Sequence, residues 1–180
     1  MPSRYPIRLP ALDPLAVPAQ TGTMYPKPHD AVVRGRSKRR LAKTLGLTQF
    51  GVSITTLAAG AATAMRHYHS ACDEFVYVLD GEPTLVTNVG EQVLQPGMCA
   101  GFPKGKKDGH HFINRTDRPV LLLEMGTNVL PDSIVYPDTK LYLYEDEKGR
   151  PTFSGKPVSG KPVKAPPPPK AKAARKSKRG

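Results

Sequence analysis

Several things are scarce in this chain of 180 residues: it has no tryptophan, 7% aromatic residues and two cysteines. Two cysteines cannot build a disulfide framework, and Cys72 and Cys99 have no zinc-ribbon spacing, so a reduced, cytoplasmic protein is expected. No apolar run approaches the roughly 20 residues that a membrane-spanning helix needs. The N-terminus lacks the apolar core of a secretory signal, so no membrane partner is expected. Acidic residues are also few, 15 against 27 Lys and Arg, for a net charge of +12.

That imbalance is local. Residues 155–180 hold nine Lys or Arg and no Asp or Glu, which leaves +3 for the rest. The Lys/Pro/Ala-rich segment 154–180 cannot bury enough apolar surface to order itself, so a disordered basic tail is expected. Its charge suits weak, non-specific contact with nucleic acid by counterion release. The absence of interleaved aromatics argues against base recognition.

Helical periodicity is missing as well. Pro2, Pro6, Pro10, Pro14 and Pro18 recur every fourth residue, which forbids a helix; residues 1–33 are expected to be an extended, Pro-rich arm. Residues 34–46 are basic and read as a short helix capped by Ser37 and ended by Gly46, with Leu41 and Leu45 toward the body. From 47 to 153 the texture is short apolar or alternating runs, such as "FGVSITTL", "EFVYVLDG" and "PVLLLEMG", separated by turn residues. That pattern predicts an all-β sandwich or barrel.

Within this region the histidines are clustered. His67 and His69 are one residue apart, so on an extended segment both imidazoles project to one face. A turn between His69 and Glu74 would return that carboxylate beside them. A second pair, His110 and His111, opens another strand ahead of Asn114. Imidazole and carboxylate are ligands suited to divalent transition metals, and a single site needs three or four such groups converging on one point. The competing reading is a chance His-x-His on a solvated edge.

The residues His67-x-His69-x4-Glu74-x6-Gly81 resemble the first motif of the cupin superfamily, and Gly97-x5-Pro103-x-Gly105, His110-x3-Asn114 resembles the second. The likeness spans roughly 40–145 and is nearest to small bacterial single-domain cupins. It implies a double-stranded β-helix, or jelly-roll barrel, over 47–153. It also implies one divalent metal (Zn, Ni, Fe or Mn) held by His67, His69, Glu74 and His110, and a homodimer that covers exposed sheet edges. Two departures stand out: Gly60 lies one residue further from His67 than in the usual pattern, and the segment Lys106–Gly109 adds two residues before the histidines. The fourth ligand is then His110 or His111, and the spacing to Asn114 favours His110.

Other candidates carry alternatives. Glu124 shares a strand face with Val120 and Leu122; it is either an outward solvated group or an inward general acid/base or histidine orienter. Asp73 is a histidine orienter or an exposed turn acid. Cys72 is a soft ligand or a small loop residue, and Cys99 reads as buried strand packing. Phe102 and Phe112 are expected in the wall. Of the alternating pairs Phe75/Tyr77 and Val76/Val78, one lines the interior. Two functions remain: a metal-dependent enzyme on a small polar substrate (isomerase, dioxygenase or lyase), or a non-catalytic small-ligand-binding module whose tail or Arg34–Lys43 patch contacts a partner.

Overall fold

Antiparallel pairing organises the chain, as alternating strands with short turns require. The computed structural model describes residues 9–154; the expected basic tail lies outside them. The strands are β1 (Arg36–Arg40), β2 (Phe50–Leu57), β3 (Tyr68–His69), β4 (Glu74–Asp80), β5 (Thr84–Thr87), β6 (Gly90–Val93), β7 (Cys99–Phe102), β8 (His111–Ile113), β9 (Val120–Thr127), β10 (Asp132–Tyr136), β11 (Leu141–Glu145) and β12 (Pro151–Ser154). They form a sheet ordered β1-β2-β9-β4-β7, a second ordered β12-β11-β10-β3 and a third ordered β6-β5-β8. This is the expected jelly-roll barrel.

Register decides which side chains face inward, because residues directly opposite each other share a face. Val78 pairs with Leu122 and Val76 with Glu124; Leu57 pairs with Val120 and Thr55 with Leu122. Leu57, Val78, Val120 and Leu122 are fully excluded from solvent and pack with Phe112, Leu85 and Leu94. At about 1.5–3 kcal/mol for each fully buried side chain, this cluster supplies a large share of the folding drive. A second cluster of Met65, Ile134, Tyr136, Leu141 and Leu143 lies under β10 and β11. Val76 and Val78 therefore line the interior, while Phe75 is exposed on the outer face.

Gly81, which ends the first motif, has φ +79°. A Cβ there would sit 2.8 Å from the Pro119 carbonyl, so both the turn and the close approach require glycine. Asn114, which ends the second motif, is completely buried. Its Nδ2 donates to the carbonyls of Leu57 (3.0 Å) and Arg118 (2.7 Å), so it ties strands together.

Three expectations change. Ser37 does not cap a helix: it lies in β1, because pairing with β2 satisfies the backbone of Arg36–Arg40. The helix is confined to α1 (Leu41–Leu45), ended by Gly46 at φ 72°. Over its described residues, 9–33, the Pro-rich segment is broken by 3₁₀ turns at Pro14–Ala16 and His29–Val33 and is laid against the body. Gln20 and Lys38 exchange two backbone hydrogen bonds of 2.9 Å, and Tyr25 packs edge-on against Tyr136 at 5.7 Å. Cys99 is exposed, because its partner in register is Tyr77 on the outer face rather than Val76 on the inner one.

Candidate metal centre

His67 and His110 form an isolated antiparallel bridge, exchanging backbone hydrogen bonds of 3.1 and 2.8 Å. His69 follows on β3, opposite Ile134. Glu74 opens β4 opposite Phe102. These placements bring the four predicted side chains together around one carboxylate oxygen. Glu74 Oε2 lies 2.9 Å from His110 Nε2 and 3.6 Å from Nε2 of both His67 and His69. His67, His69 and Glu74 offer ligand atoms within 4.8 Å of one another, a spacing suited to a metal ion. His111 is not part of the cluster; on the opposite side of β8, its Nδ1 donates to the Ala64 carbonyl at 3.0 Å.

The donor set fits a divalent transition metal in its tautomers too. His67 Nδ1 lies 2.8 Å from the Met65 carbonyl, so Nδ1–H donates and Nε2 keeps its lone pair for the centre. His69 Nδ1 lies 2.5 Å from Asp132 Oδ2, an arrangement that orients a ligating imidazole and raises its basicity. Asp132 is itself buried and anchored: its Oδ1 accepts from Ser70 Oγ at 2.9 Å and the Ala71 amide at 2.8 Å. The His110 ring stacks on Phe102 with centroids 3.5 Å apart.

Electrostatics follow from burial and these contacts. Burial drives the His67 pKa down to about 4, against an opposing pull from Glu74, so the imidazole is neutral at pH 7. Burial alone would raise Glu74; the hydrogen bond from His110 and the charges of His67 and His69 outweigh it and bring it to about 2. Burial also disfavours charge on His69, but the hydrogen bond to Asp132 wins and its pKa rises. Asp132 would be raised by burial, yet the bonds from His69, Ala71 and Ser70 hold it well below the usual carboxylate range.

The remaining candidates separate. Glu124 faces the interior, where its Oε2 lies 2.5 Å from Lys38 Nζ and accepts from Thr55 Oγ1 at 2.8 Å. Asp73 is exposed and accepts from the Lys104 amide at 2.8 Å; the histidine orienter is Asp132. Cys72 is buried beside His69 and Asp132, but burial raises its pKa and keeps the thiol protonated. Phe112 is in the core and Phe102 forms the wall behind His110.

A cavity of about 1060 Å³ opens onto the cluster. The glycine pair Gly51 and Gly126, opposite each other in register, lines it beside Glu74 without side chains. Sequence reasoning missed Asp132, Tyr25 and the basic side chains of β1, all in this wall. Asp132 is 63 residues from His69, and no local signal links them. Tyr25 shares the Pro-rich arm with Tyr5, and nothing in the local sequence singles it out.

The Cupin domain family model matches residues 53–126. A crystal structure described as a sugar phosphate isomerase from a cupin superfamily, from Silicibacter pomeroyi, is 39% identical with a TM-score of 0.78, covering 87% of this chain and 98% of that one. A protein of Acidithiobacillus ferrooxidans with the provisional name sugar phosphate isomerase is 26% identical (TM-score 0.62), covering 66% and 75%. A polyketide cyclase from Streptomyces resistomycificus shares the fold at 18% identity and TM-score 0.57, covering 69% and 84%. No curated protein matches the chain. With identity of this level across nearly all of both chains, with both motifs gathered at one cavity, the chain belongs to the cupin superfamily.

Proposed function

We propose that this chain is a metal-dependent isomerase of a small phosphorylated sugar, with His67, His69, Glu74 and His110 as ligands of one divalent ion. One observation supports an enzyme over a passive binding module: Glu124 lies inside the cavity, with Lys38 and Thr55 on one oxygen. Its other oxygen has no hydrogen bond among the described residues. The 39% identical relative's description favours isomerisation over oxygenase or lyase chemistry.

Bound metal would act as a Lewis acid toward the substrate's carbonyl and hydroxyl oxygens. Glu124 takes the proton from the carbon beside the carbonyl. The C–H electron pair forms the C=C bond as the carbonyl π pair moves onto its oxygen; the neighbouring hydroxyl passes its proton to that oxygen and becomes the new carbonyl, and Glu124 returns its proton to the former carbonyl carbon, so aldose and ketose interconvert with no oxidant. Lys38 and Thr55 hold the carboxylate in place for both transfers. Asp132 holds His69 in the ligating tautomer.

Two measurements test this. Elemental analysis of untagged protein purified without chelator should give about one equivalent of one transition metal, lost in His67→Ala. Metal-loaded protein incubated with phosphorylated aldoses in D₂O should exchange deuterium at the carbon beside the carbonyl. Glu124→Gln should slow that exchange roughly 10²–10⁴-fold with metal content unchanged. Metal present with no exchange on any phosphosugar would return the ligand-binding module.

For assembly, we assign a homodimer to the outer face of the five-stranded sheet. In register, Ile54, Leu123, Tyr77, Phe75 and Met125 share that face, and apolar surface of this kind marks an interface. The tail's nine cations suit weak, salt-sensitive nucleic-acid contact, which filter binding across a salt series checks.

A further inference from the structure

We infer that strand β1 supplies a subsite for the substrate's phosphate, built from Arg36, Lys38 and Arg40; the choice of phosphate rests on the isomerase reading above. In register, Arg36 pairs with Leu57, Lys38 with Thr55 and Arg40 with Ser53. Leu57 and Thr55 are buried inside the barrel, so the three cations share the inner face. They are spaced about 6.6 Å apart along the strand, two residues at a time. All three line the cavity that holds His67, Glu74 and Glu124.

Arg36 and Arg40 are held but not neutralised. Lys38 alone has a carboxylate partner, Glu124. Arg36 donates to the carbonyls of Thr63 (2.6 Å) and Gly22 (3.3 Å), and its Nε is buried with no partner among the described residues. Arg40 donates to the Gln20 side-chain oxygen at 3.0 Å. A half-buried guanidinium without a counter-charge, such as that of Arg36, favours an anionic partner, and its planar fork matches a phosphate.

Apart from Glu124, which pairs with Lys38, the cavity's acids lie elsewhere. Asp132 is committed to His69, Ser70 and Ala71; Glu74 is committed to the histidines. Glu145 is near Asp132 and His69. Charge therefore divides most of the cavity: imidazoles and carboxylates on the β3, β4, β10 and β11 side, and on β1 the cations, of which Lys38 alone meets an acid, Glu124. Tyr25 stands within electrostatic reach of both Arg36 and Glu74. β1 also precedes the segment 53–126 that matches the family model, so these cations add to the shared barrel.

The test is calorimetric titration of the full chain with inorganic phosphate at about 0.15 M NaCl, beside Arg36→Gln, Arg40→Gln and the exposed control Lys43→Gln, with metal content measured on every sample. One saturable phosphate site, weakened at least tenfold by Arg36→Gln and several-fold by Arg40→Gln but not by Lys43→Gln, supports the subsite. Equal weakening by Lys43→Gln, or no weakening by either arginine variant, overturns it. Acetate titrated in place of phosphate should give no saturable site; equal affinity overturns the phosphate assignment. Should Arg36→Gln not fold, Arg40→Gln, on an exposed side chain, decides alone. The two readings fail separately: arginine-dependent phosphate binding without deuterium exchange sinks the isomerase and leaves the subsite, while exchange without such binding does the reverse.

Discussion

The inner faces of β2, β4 and β9 each change character partway along. Toward one end lie Leu57, Val78, Val120 and Leu122, all excluded from solvent. Toward the other lie Ser53, Glu74, Glu124 and the glycines Gly51 and Gly126, open to the cavity. The same backbone alternation serves both halves, so the difference is purely one of side chain. The apolar half supplies stability without orientation. The polar half can exist only because its buried groups find partners, as an unpaired one costs about 1–3 kcal/mol.

The largest effect should come from breaking the apolar half. Leu122→Ala is expected to cost about 3 kcal/mol and lower Tm by roughly 6–12 °C, with metal per folded protein unchanged. Loss of metal along with stability would show that the halves are not separable.

Acid should break the polar half of the metal-free protein. His67 has its pKa depressed to about 4 in the fold, against about 6.5 in the unfolded chain. The unfolded state therefore binds the proton first, so stability is full above pH 6.5 and falls as pH drops to about 4. The shift corresponds to a loss on the order of 3 kcal/mol. Glu74, depressed to about 2, extends the loss below pH 4.5. His69 is shifted the other way and offsets part of it. Thermal melts across this range should be flatter for His67→Ala than for the native chain; equal slopes would contradict the assignment.

Asp132→Asn sharpens the comparison at one contact. Metal affinity should weaken about 10–100-fold, read by competition with a chelating dye. Unchanged affinity would leave Asp132 as a strand tie only. The smallest effect on folding should come from the outer face: Phe75→Asp is expected to change stability by no more than about 0.5 kcal/mol while halving the mass measured by light scattering.

Legibility followed locality. His67, His69 and Glu74 were readable because two-residue alternation and one turn bring them together. His110 was readable from its spacing to Asn114, a residue whose buried side chain bonds Leu57 and Arg118 across strands. Cys99 was misread because alternation says that neighbours differ in face without saying which face is inside. The basic segment was misread for a related reason: Ser37 looked like a cap, but pairing with β2 claimed its backbone.

Residue order alone determined the β class, the clustering of imidazoles with one carboxylate, and the turns that demand glycine, because these depend on alternation and on φ at single positions. Only the tertiary structure decided that Glu124 faces inward, that Asp132 orients His69 from 63 residues away, and that Arg36, Lys38 and Arg40 line the cavity. Each of those depends on which strand pairs with which, and in what register. That choice is set by burial of the whole apolar face together, which no short stretch of sequence contains.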